Sequence, residues 1–271
     1  WIAPSAAAAG LDQQGNRPML SDADLERYAR QVIMPDVGED GQERLLAARM
    51  LVVGAGGLGS PVIFYLAAAG VGHITILDDE TVELTNLNRQ ILHTTHSIGT
   101  SKVDQAAAAA AALNPAIEIT PHRERLDVGN VDGLLSSHDL VIDCSDNVET
   151  RYLLGDAAHR MQTPLVFGGA VRSEGQLAIF HAGAPDSPCF RCVFPDMPDA
   201  QQAPGCSEAG ILGPVTGVIG TLQALAAVSW VLGIGGEQTG RLLLFDARGG
   251  GFMEISTARR GDCSTCGGQS G

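Results

Sequence analysis

Residues 51–83 read LVVGAGGLGSPVIFYLAAAGVGHITILDDETVE, and this stretch decides the fold. A short apolar run typical of a strand leads into a glycine-rich turn, an Ala-rich apolar helix follows, and a second strand ends at two aspartates. Gly54, Gly56 and Gly59 have the G-x-G-x-x-G spacing, which allows a tight turn, close approach of a phosphate and close helix–strand packing. Asp78 ends the second strand, where a carboxylate can bind ribose hydroxyls. We therefore predict a nucleotide site; a turn that is merely rich in glycine is the alternative.

The order of the predicted elements places this unit in a larger sheet. Two helices precede it, one from an N-cap at Ser21 to about Gln31 and one at about 40–48. After it, Lys102 opens an Ala-rich helix, strands alternate with helices, and a pair of strands begins at Pro164. This order predicts an α/β fold with a Rossmann-like, doubly wound mixed sheet and N-terminal helices.

The composition limits the possible partners. The 271 residues carry a formal net charge of −14, which predicts no binding to nucleic acid because its phosphates would be repelled. Any positive charges that bind phosphate must therefore be local. Residues 1–20 contain no basic region followed by an apolar run, so we expect a disordered N-terminal extension and a cytoplasmic protein.

An uncharged run between Glu208 and Glu237 is long enough to be considered as a membrane span. It contains Gln223 and several glycines, and its flanks are acidic rather than basic. We therefore predict a buried helix that begins after Pro214, and no membrane span.

Two Cys-x-x-Cys pairs indicate a metal site. They supply four thiolates, which is enough for a closed tetrahedral zinc site: Cys189 and Cys192, with Cys263 and Cys266. Because the two pairs lie far apart in the chain, the metal would join a late loop to the tail and give a zinc-stapled C-terminal part. A closed site has no open position, so this zinc would be structural. A redox pair and an iron–sulfur cluster are the alternatives.

Polar residues beyond the glycine turn favour ATP over NAD. Asn86, Arg89 and Lys102 follow the second strand, and Asp146 follows a later apolar strand. Cations and a carboxylate suited to hydrated Mg²⁺ are what attack at the α-phosphate of ATP requires. An NAD-dependent oxidoreductase, the alternative, would need only the glycine turn and Asp78. Locally, Asp146 could also be a helix cap.

The motifs RYARQ, GAGGLGSP, LDDETVELTNLNRQ, GTSK, DCSDN, PCFRC and CSEAG, with the terminal Cys pair, resemble the MoeB/ThiF (HesA/MoeB/ThiF) family. These are adenylyltransferases of molybdopterin and thiamine biosynthesis, related to ubiquitin-activating enzymes. The resemblance covers about residues 21–266. It implies a single ubiquitin-activating-type adenylation domain at 21–271, with a nucleotide-binding half at about 50–160 and a carrier-binding and zinc part at about 164–266.

The resemblance also implies a reaction. The C-terminal Gly-Gly carboxylate of a small ubiquitin-like sulfur carrier would attack Mg-ATP, releasing pyrophosphate and leaving an acyl-adenylate for later sulfur transfer. Molybdopterin biosynthesis is the first expectation, and a thiamine, cysteine or thio-metabolite carrier stays open. Because no rhodanese-like sulfurtransferase domain is found in the sequence, a separate sulfur donor is expected.

Roles for individual residues follow from the same resemblance. Arg30 would reach into the site of a partner subunit, which implies a homodimer. Cys206 would either link covalently to the carrier or be a dispensable thiol. The remaining roles are Gly57 and its loop neighbours against the phosphates, Asp78 on the ribose, Asn86, Arg89 and Lys102 on the triphosphate, and Asp146 on Mg²⁺. No general base is expected, because the attacking carboxylate is already ionised.

Overall fold

One mixed sheet organises the computed structural model, which describes residues 19–184, 187–198, 209–235 and 239–267. Its eight strands have the order β3-β2-β1-β4-β5-β6-β7-β8. The first five in this order are parallel, and β6, β7 and β8 are antiparallel to their neighbours. The strands are β1 (Arg49–Val53), β2 (His73–Leu77), β3 (Glu118–His122), β4 (Leu140–Asp143), β5 (Leu165–Val171), β6 (Glu174–Phe180), β7 (Arg241–Asp246) and β8 (Gly251–Ser256).

Helices cover both faces of this sheet. They are α1 (Asp22–Arg27), α2 (Ala29–Val32), α3 (Gly38–Ala47), α4 (Gly59–Ala69), α5 (Lys102–Leu113), α6 (Val131–Ser136), α7 (Val148–Met161), α8 (Phe190–Val193) and α9 (Gly213–Leu232). Met50 and Val52 of β1 face a core formed with α3, α4, α5 and α9, whereas Leu51 and Val53 face a second core formed with α6, α7 and α8. A strand covered on both faces is apolar along nearly its whole length, as residues 50–53 of β1 are. The predicted Rossmann-like, doubly wound mixed sheet is therefore confirmed.

The N-terminal helices begin where the sequence predicts. Ser21 Oγ accepts a hydrogen bond from the Asp24 backbone N–H at 3.2 Å, and the Asp24 carboxylate accepts one from the Ser21 N–H at 3.0 Å. The predicted single helix is interrupted at Tyr28, whose buried hydroxyl accepts a hydrogen bond from Asn114 Nδ2 at 2.8 Å. Of the predicted N-terminal extension at 1–20, only residues 19 and 20 are described.

The long apolar helix α9 packs one side into the core, and it begins at Gly213 rather than after Pro214 as predicted. Its length and composition would also suit a membrane span. Here it packs against α4 and β5, and its fully buried Gln223 donates from Nε2 to the Asp143 carbonyl at 2.7 Å. A buried amide with a hydrogen-bond partner inside the fold is typical of a core helix.

Candidate active site

The glycine turn between β1 and α4 has the geometry that its spacing predicts. Gly54 has a φ of +102°, and a Cβ atom there would lie 2.7 Å from the carbonyl oxygen of Cys144. At Gly59 a Cβ atom would lie 2.0 Å from the Gly54 carbonyl oxygen. At Gly56 the nearest neighbour of such an atom would be Gln90 Nε2, at 3.6 Å. The fold itself therefore requires glycine at the first and third positions, whereas the second leaves space open in front of the turn.

Asp78 holds this turn against the end of β2. Its Oδ2 accepts a hydrogen bond from the Ala55 N–H at 2.8 Å, and its Oδ1 accepts one from the Glu80 N–H at 2.9 Å. Burial raises the pKa of this carboxyl group, and the charge of Lys102 and the two backbone N–H groups oppose that shift. Each carboxylate oxygen has a second lone pair available for a ligand.

A cavity of about 290 Å³ opens in front of the turn, at the carboxyl ends of the parallel strands. This is the edge at which doubly wound sheets bind ligands. The predicted residues that line it are Gly54, Gly56, Gly57, Asp78, Arg89, Lys102 and Asp146. The fold thus brings most of the predicted nucleotide residues to one place.

Four predicted residues do not line this cavity as it is described. Gly59 lies behind the turn, where it packs α4 on β1. Asn86 is buried, and its Oδ1 accepts a hydrogen bond from the Glu83 N–H at 2.9 Å, so it shapes the short 3₁₀ turn Leu84–Asn86 that precedes Arg89. Arg30 is exposed on α2. Cys206 lies outside the described residues, so both expectations for it stand.

Lys102 is the chain's single lysine, against 16 arginines. Its side chain is only 4% exposed, and its ammonium group pairs with the carboxylate of Glu80, which is 66% exposed. Arg89 donates from Nη1 to the Thr85 carbonyl at 2.9 Å and to Asn88 Oδ1 at 3.3 Å. Both cations are held by neighbours at the rim of the cavity, so they are positioned before a ligand arrives.

Asp146 is exposed between β4 and α7, and it is not the helix cap. Asn147 takes that role, because its Oδ1 accepts a hydrogen bond from the Thr150 N–H at 2.8 Å. The alternative that Asp146 caps a helix is therefore wrong. Its carboxylate is available at the cavity, and carboxylate oxygens suit Mg²⁺.

Two further arginines line the cavity and were not predicted. Arg125 follows β3, and Arg151 lies on the first turns of α7. Within the described residues the lining holds four cationic side chains and five carboxylates, so four of the chain's 17 lysine and arginine residues lie at this cavity. The predicted local positive charge is present. Arg125 and Arg151 lie in no motif that marks them, and only the sheet order brings them to the cavity.

The four predicted metal-ligating cysteines form a buried cluster next to α7. Their sulfur atoms all lie within 4.8 Å of one another, and Cys189 Sγ lies 3.5 Å from Cys263 Sγ and Cys192 Sγ 3.3 Å from Cys266 Sγ. A tetrahedral Zn–S site with bonds of about 2.3 Å has sulfurs about 3.8 Å apart, so the donor set fits such an ion. Burial opposes ionisation of Cys263, but hydrogen bonds from backbone N–H groups outweigh it and lower its pKa to about 7.

One carboxylate of α7 joins both halves of this cluster. Asp156 accepts hydrogen bonds from Arg191 Nε and Nη2, both at 2.7 Å, and from Thr265 Oγ1 at 2.9 Å. Arg191 lies between the first two cysteines and Thr265 between the last two. Asp156 therefore fixes both Cys-x-x-Cys segments to the helix that begins beside Asp146. Cys144 lies apart from the cluster, buried at the end of β4, and burial raises its pKa well above the usual value.

Known proteins are similar to this chain along most of its length. "Adenylyltransferase and sulfurtransferase MOCS3" of Bos taurus is 48% identical over 252 residues, which is 93% of this chain and 55% of that protein. "SAMP-activating enzyme E1" of Haloferax volcanii is 43% identical over 248 residues, with 92% of this chain and 91% of that protein covered. "Sulfur carrier protein adenylyltransferase" of Thermus thermophilus is 44% identical over 247 residues, with 90% and 91% covered. The chain spans about half the length of the MOCS3 relatives it matches.

Solved structures agree on the fold. A crystal structure of Escherichia coli MccB with AMPCPP and MccA superimposes with a TM-score of 0.78 at 20% identity, covering 89% of this chain and 74% of that one. At this identity the likeness concerns the fold alone. The ThiF family matches residues 28–265. Since that match covers most of the chain, and the motif resemblance agrees with it, the protein belongs to the ThiF family.

Proposed function

We propose that this protein adenylates the C-terminal Gly-Gly carboxylate of a small ubiquitin-like sulfur carrier with ATP. The observation that carries the proposal is the single cavity in which Arg89, Lys102 and Asp146 face the glycine turn and Asp78. An NAD-dependent dehydrogenase would need the turn and the acid but not this set of charges. The names of the relatives from Thermus thermophilus and Haloferax volcanii support the same activity.

The chemistry is a displacement at phosphorus. A carboxylate oxygen of the carrier attacks the α-phosphorus, a P–O bond forms, and the bond from that phosphorus to the bridging oxygen breaks. Pyrophosphate leaves with the electron pair, and no proton is transferred. Both reactants are anions, so positioned cations lower their repulsion and stabilise the developing charge. Arg89 and Lys102 take this role.

Two metal ions belong to the proposal. Asp146 would hold Mg²⁺, which when bound neutralises charge on the triphosphate. The four cysteines would hold a structural Zn²⁺, because a closed Cys₄ set leaves no position for a substrate. Asp78 would bind the ribose, and Gly57 and its neighbours would bind the phosphates. Asn86 would act indirectly, through the turn that carries Arg89.

The biological setting is also a proposal. We place the protein in the cytoplasm and in molybdopterin biosynthesis, with a thiamine, cysteine or thio-metabolite carrier as the alternative. A separate donor would supply the sulfur.

Carrier-dependent ATP–pyrophosphate exchange tests the function directly. Purified ubiquitin-like carriers ending in Gly-Gly are offered singly, and each is matched by the same carrier lacking its last glycine. We expect exchange with at least one intact carrier and none with the truncated forms. Absence of exchange with every carrier, together with tight binding of NAD instead of ATP, would overturn the proposal.

We further propose a homodimer in which Arg30 acts in the site of the partner subunit. Its exposed position on α2, away from its own chain's cavity, supports action across an interface. Arg30→Ala and Asp146→Ala subunits should each be inactive alone. After equal mixing and exchange, half of the dimers are mixed and each has one intact site, so about one quarter of wild-type activity should return. Exchange assays on the mixture, with subunit exchange checked by differential tags, measure this; no recovery would contradict sharing.

A further inference from the structure

Arg151 is one of two cavity-lining cations, with Arg125, to which the proposed function gives no role. It lies on the first turns of α7, where the helix dipole disfavours a positive charge. Within the described residues Arg151 forms no salt bridge. By contrast, Arg160 on the same helix pairs with Asp132, and Arg191 on α8 pairs with Asp156 of α7. Its charge opposes the rise in pKa that burial imposes on the carboxyl group of Asp143, but the side chains of Arg151 and Asp143 form no direct ion pair. Arg151 therefore keeps N–H donors that an anion from outside the chain can use.

The side chain is nevertheless held firmly. Its Nη2 donates to the Ser145 carbonyl at 2.9 Å, and its guanidinium carbon lies 5.5 Å from the centre of the buried Phe167 ring. Within the described part of the chain, its buried Nε has no hydrogen-bond partner. Cation–π contact and one backbone hydrogen bond fix the plane of the guanidinium and leave further N–H donors for a ligand.

The position of Arg151 along the sheet separates it from the nucleotide residues. Asp78 lies at the end of β2, whereas Arg151 packs against Phe167 and Gly169 of β5 and lines the same cavity. The strand order β2-β1-β4-β5 puts three strand spacings, about 14 Å, between those two ends. With the ribose at Asp78 and the phosphates at the glycine turn of β1, the β4–β5 end is left for the second substrate.

We propose that Arg151 binds the C-terminal carboxylate of the carrier protein before it attacks, an inference that rests on the proposed function. A planar guanidinium matches the two oxygens of a carboxylate. It would bring this anion towards the triphosphate and orient one oxygen for attack. The acyl-adenylate formed has no free carboxylate, so the interaction weakens once the bond has formed. Arg151 is thus a substrate-binding residue specific for the reactant state.

The test compares carboxylate binding with nucleotide binding. The probe is a ubiquitin-like sulfur carrier ending in Gly-Gly, prepared as the free carboxylate and as the C-terminal amide. The full chain is compared with Arg151→Gln, Arg151→Lys and, as a matched control on the same helix, Arg160→Gln. Calorimetry gives the affinity for each carrier form and for a non-hydrolysable ATP analogue.

We expect Arg151→Gln to weaken binding of the carboxylate form by about 10–100-fold, because a charge-assisted, two-point contact is lost. Binding of the amide form and of the ATP analogue should stay within about twofold, Arg151→Lys should be intermediate, and Arg160→Gln should resemble wild type. Loss of ATP-analogue affinity with unchanged carboxylate binding would assign Arg151 to the triphosphate and overturn the inference. Equal weakening of both carrier forms would overturn it as well.

Different results would contradict the proposed function and the role of Arg151. If wild-type protein forms no adenylate with any carrier, the proposed function is wrong. Preference of wild type for carboxylate over amide, lost in Arg151→Gln, would then still support a carboxylate site at Arg151. If exchange occurs but wild type binds both carrier forms equally, the function stands and the inference fails.

Discussion

Replacing Lys102 by methionine is expected to slow carrier-dependent ATP–pyrophosphate exchange by about 10²–10³-fold, the usual effect of removing one positioned donor to developing charge. Methionine keeps most of the buried aliphatic stem, so packing of α5 should survive. Water can solvate the exposed Glu80 carboxylate after the change, but the buried Asp78 carboxyl group loses an opposing charge. A typical cost of about 1 kcal/mol lowers the transition temperature by about 2–4 °C, so the protein should stay folded in the assay.

The status of Lys102 as the only lysine makes a direct measurement possible. An acyl-phosphate derivative of ATP transfers its acyl group to an amine close to the phosphates, with ATP as the leaving group. We expect a single labelled side chain, at Lys102, and protection by excess ATP. Arg123→Gln, which breaks a surface ion pair with Asp104, is the control and should exchange like wild type. Exchange by Lys102→Met within tenfold of wild type, or an unlabelled Lys102, would contradict the role.

Local structure could be predicted from the sequence because local signals specify it. The N-cap at Ser21, the glycines between β1 and α4 and the Ala-rich helix that begins at Lys102 all have their predicted form. Sequence could not choose between Asp146 and Asn147 as the cap of α7, since both are good N-cap residues after a strand. The hydrogen bond from Thr150 to Asn147 decides it.

The rest of the site depends on strand order, which local patterns do not contain. Arg125 follows β3 and Arg151 follows β4. The strands β3, β2, β1 and β4 are parallel neighbours and end at the same edge of the sheet, so both arginines line the one cavity there. Conversely, Asn86 lies within a cluster of predicted phosphate residues but turns inward to shape its own 3₁₀ turn. A motif fixes which residues are near in the chain, and the tertiary fold fixes which of them face the ligand.

Helix α7 connects the two parts of the protein that carry function. Asp146 and Arg151 lie at its cavity end, and Asp156, further along, contacts both cysteine segments through Arg191 and Thr265. The cysteine cluster and the cavity therefore share one supporting helix, although no cysteine of the cluster lines the cavity.

Cys263→Ser is accordingly expected to reduce zinc from about one ion per chain to well below that and to lower the transition temperature by roughly 8 °C or more. The temperature estimate follows from about 4 kcal/mol for a site saturated a thousandfold above its Kd, at about 2–4 °C per kcal/mol. Metal analysis and calorimetry measure the two quantities. An unchanged transition temperature, with zinc lost, would show that the metal does not stabilise this fold.

Asp156→Asn tests the hydrogen bonds that hold the two cysteine segments while leaving the four cysteines unchanged. All four thiolates remain, so zinc content should be normal, but one acceptor and the charge that hold Arg191 are lost. Since supporting residues typically account for 10–100-fold in metal affinity, zinc transfer to a chromogenic chelator should be faster by about that factor. Asp132→Asn, which breaks the surface pair with Arg160 on the same helix, should release zinc at the wild-type rate. If Asp156→Asn also released zinc at that rate, the cysteines alone would set the lifetime of the site, and α7 would not be part of it.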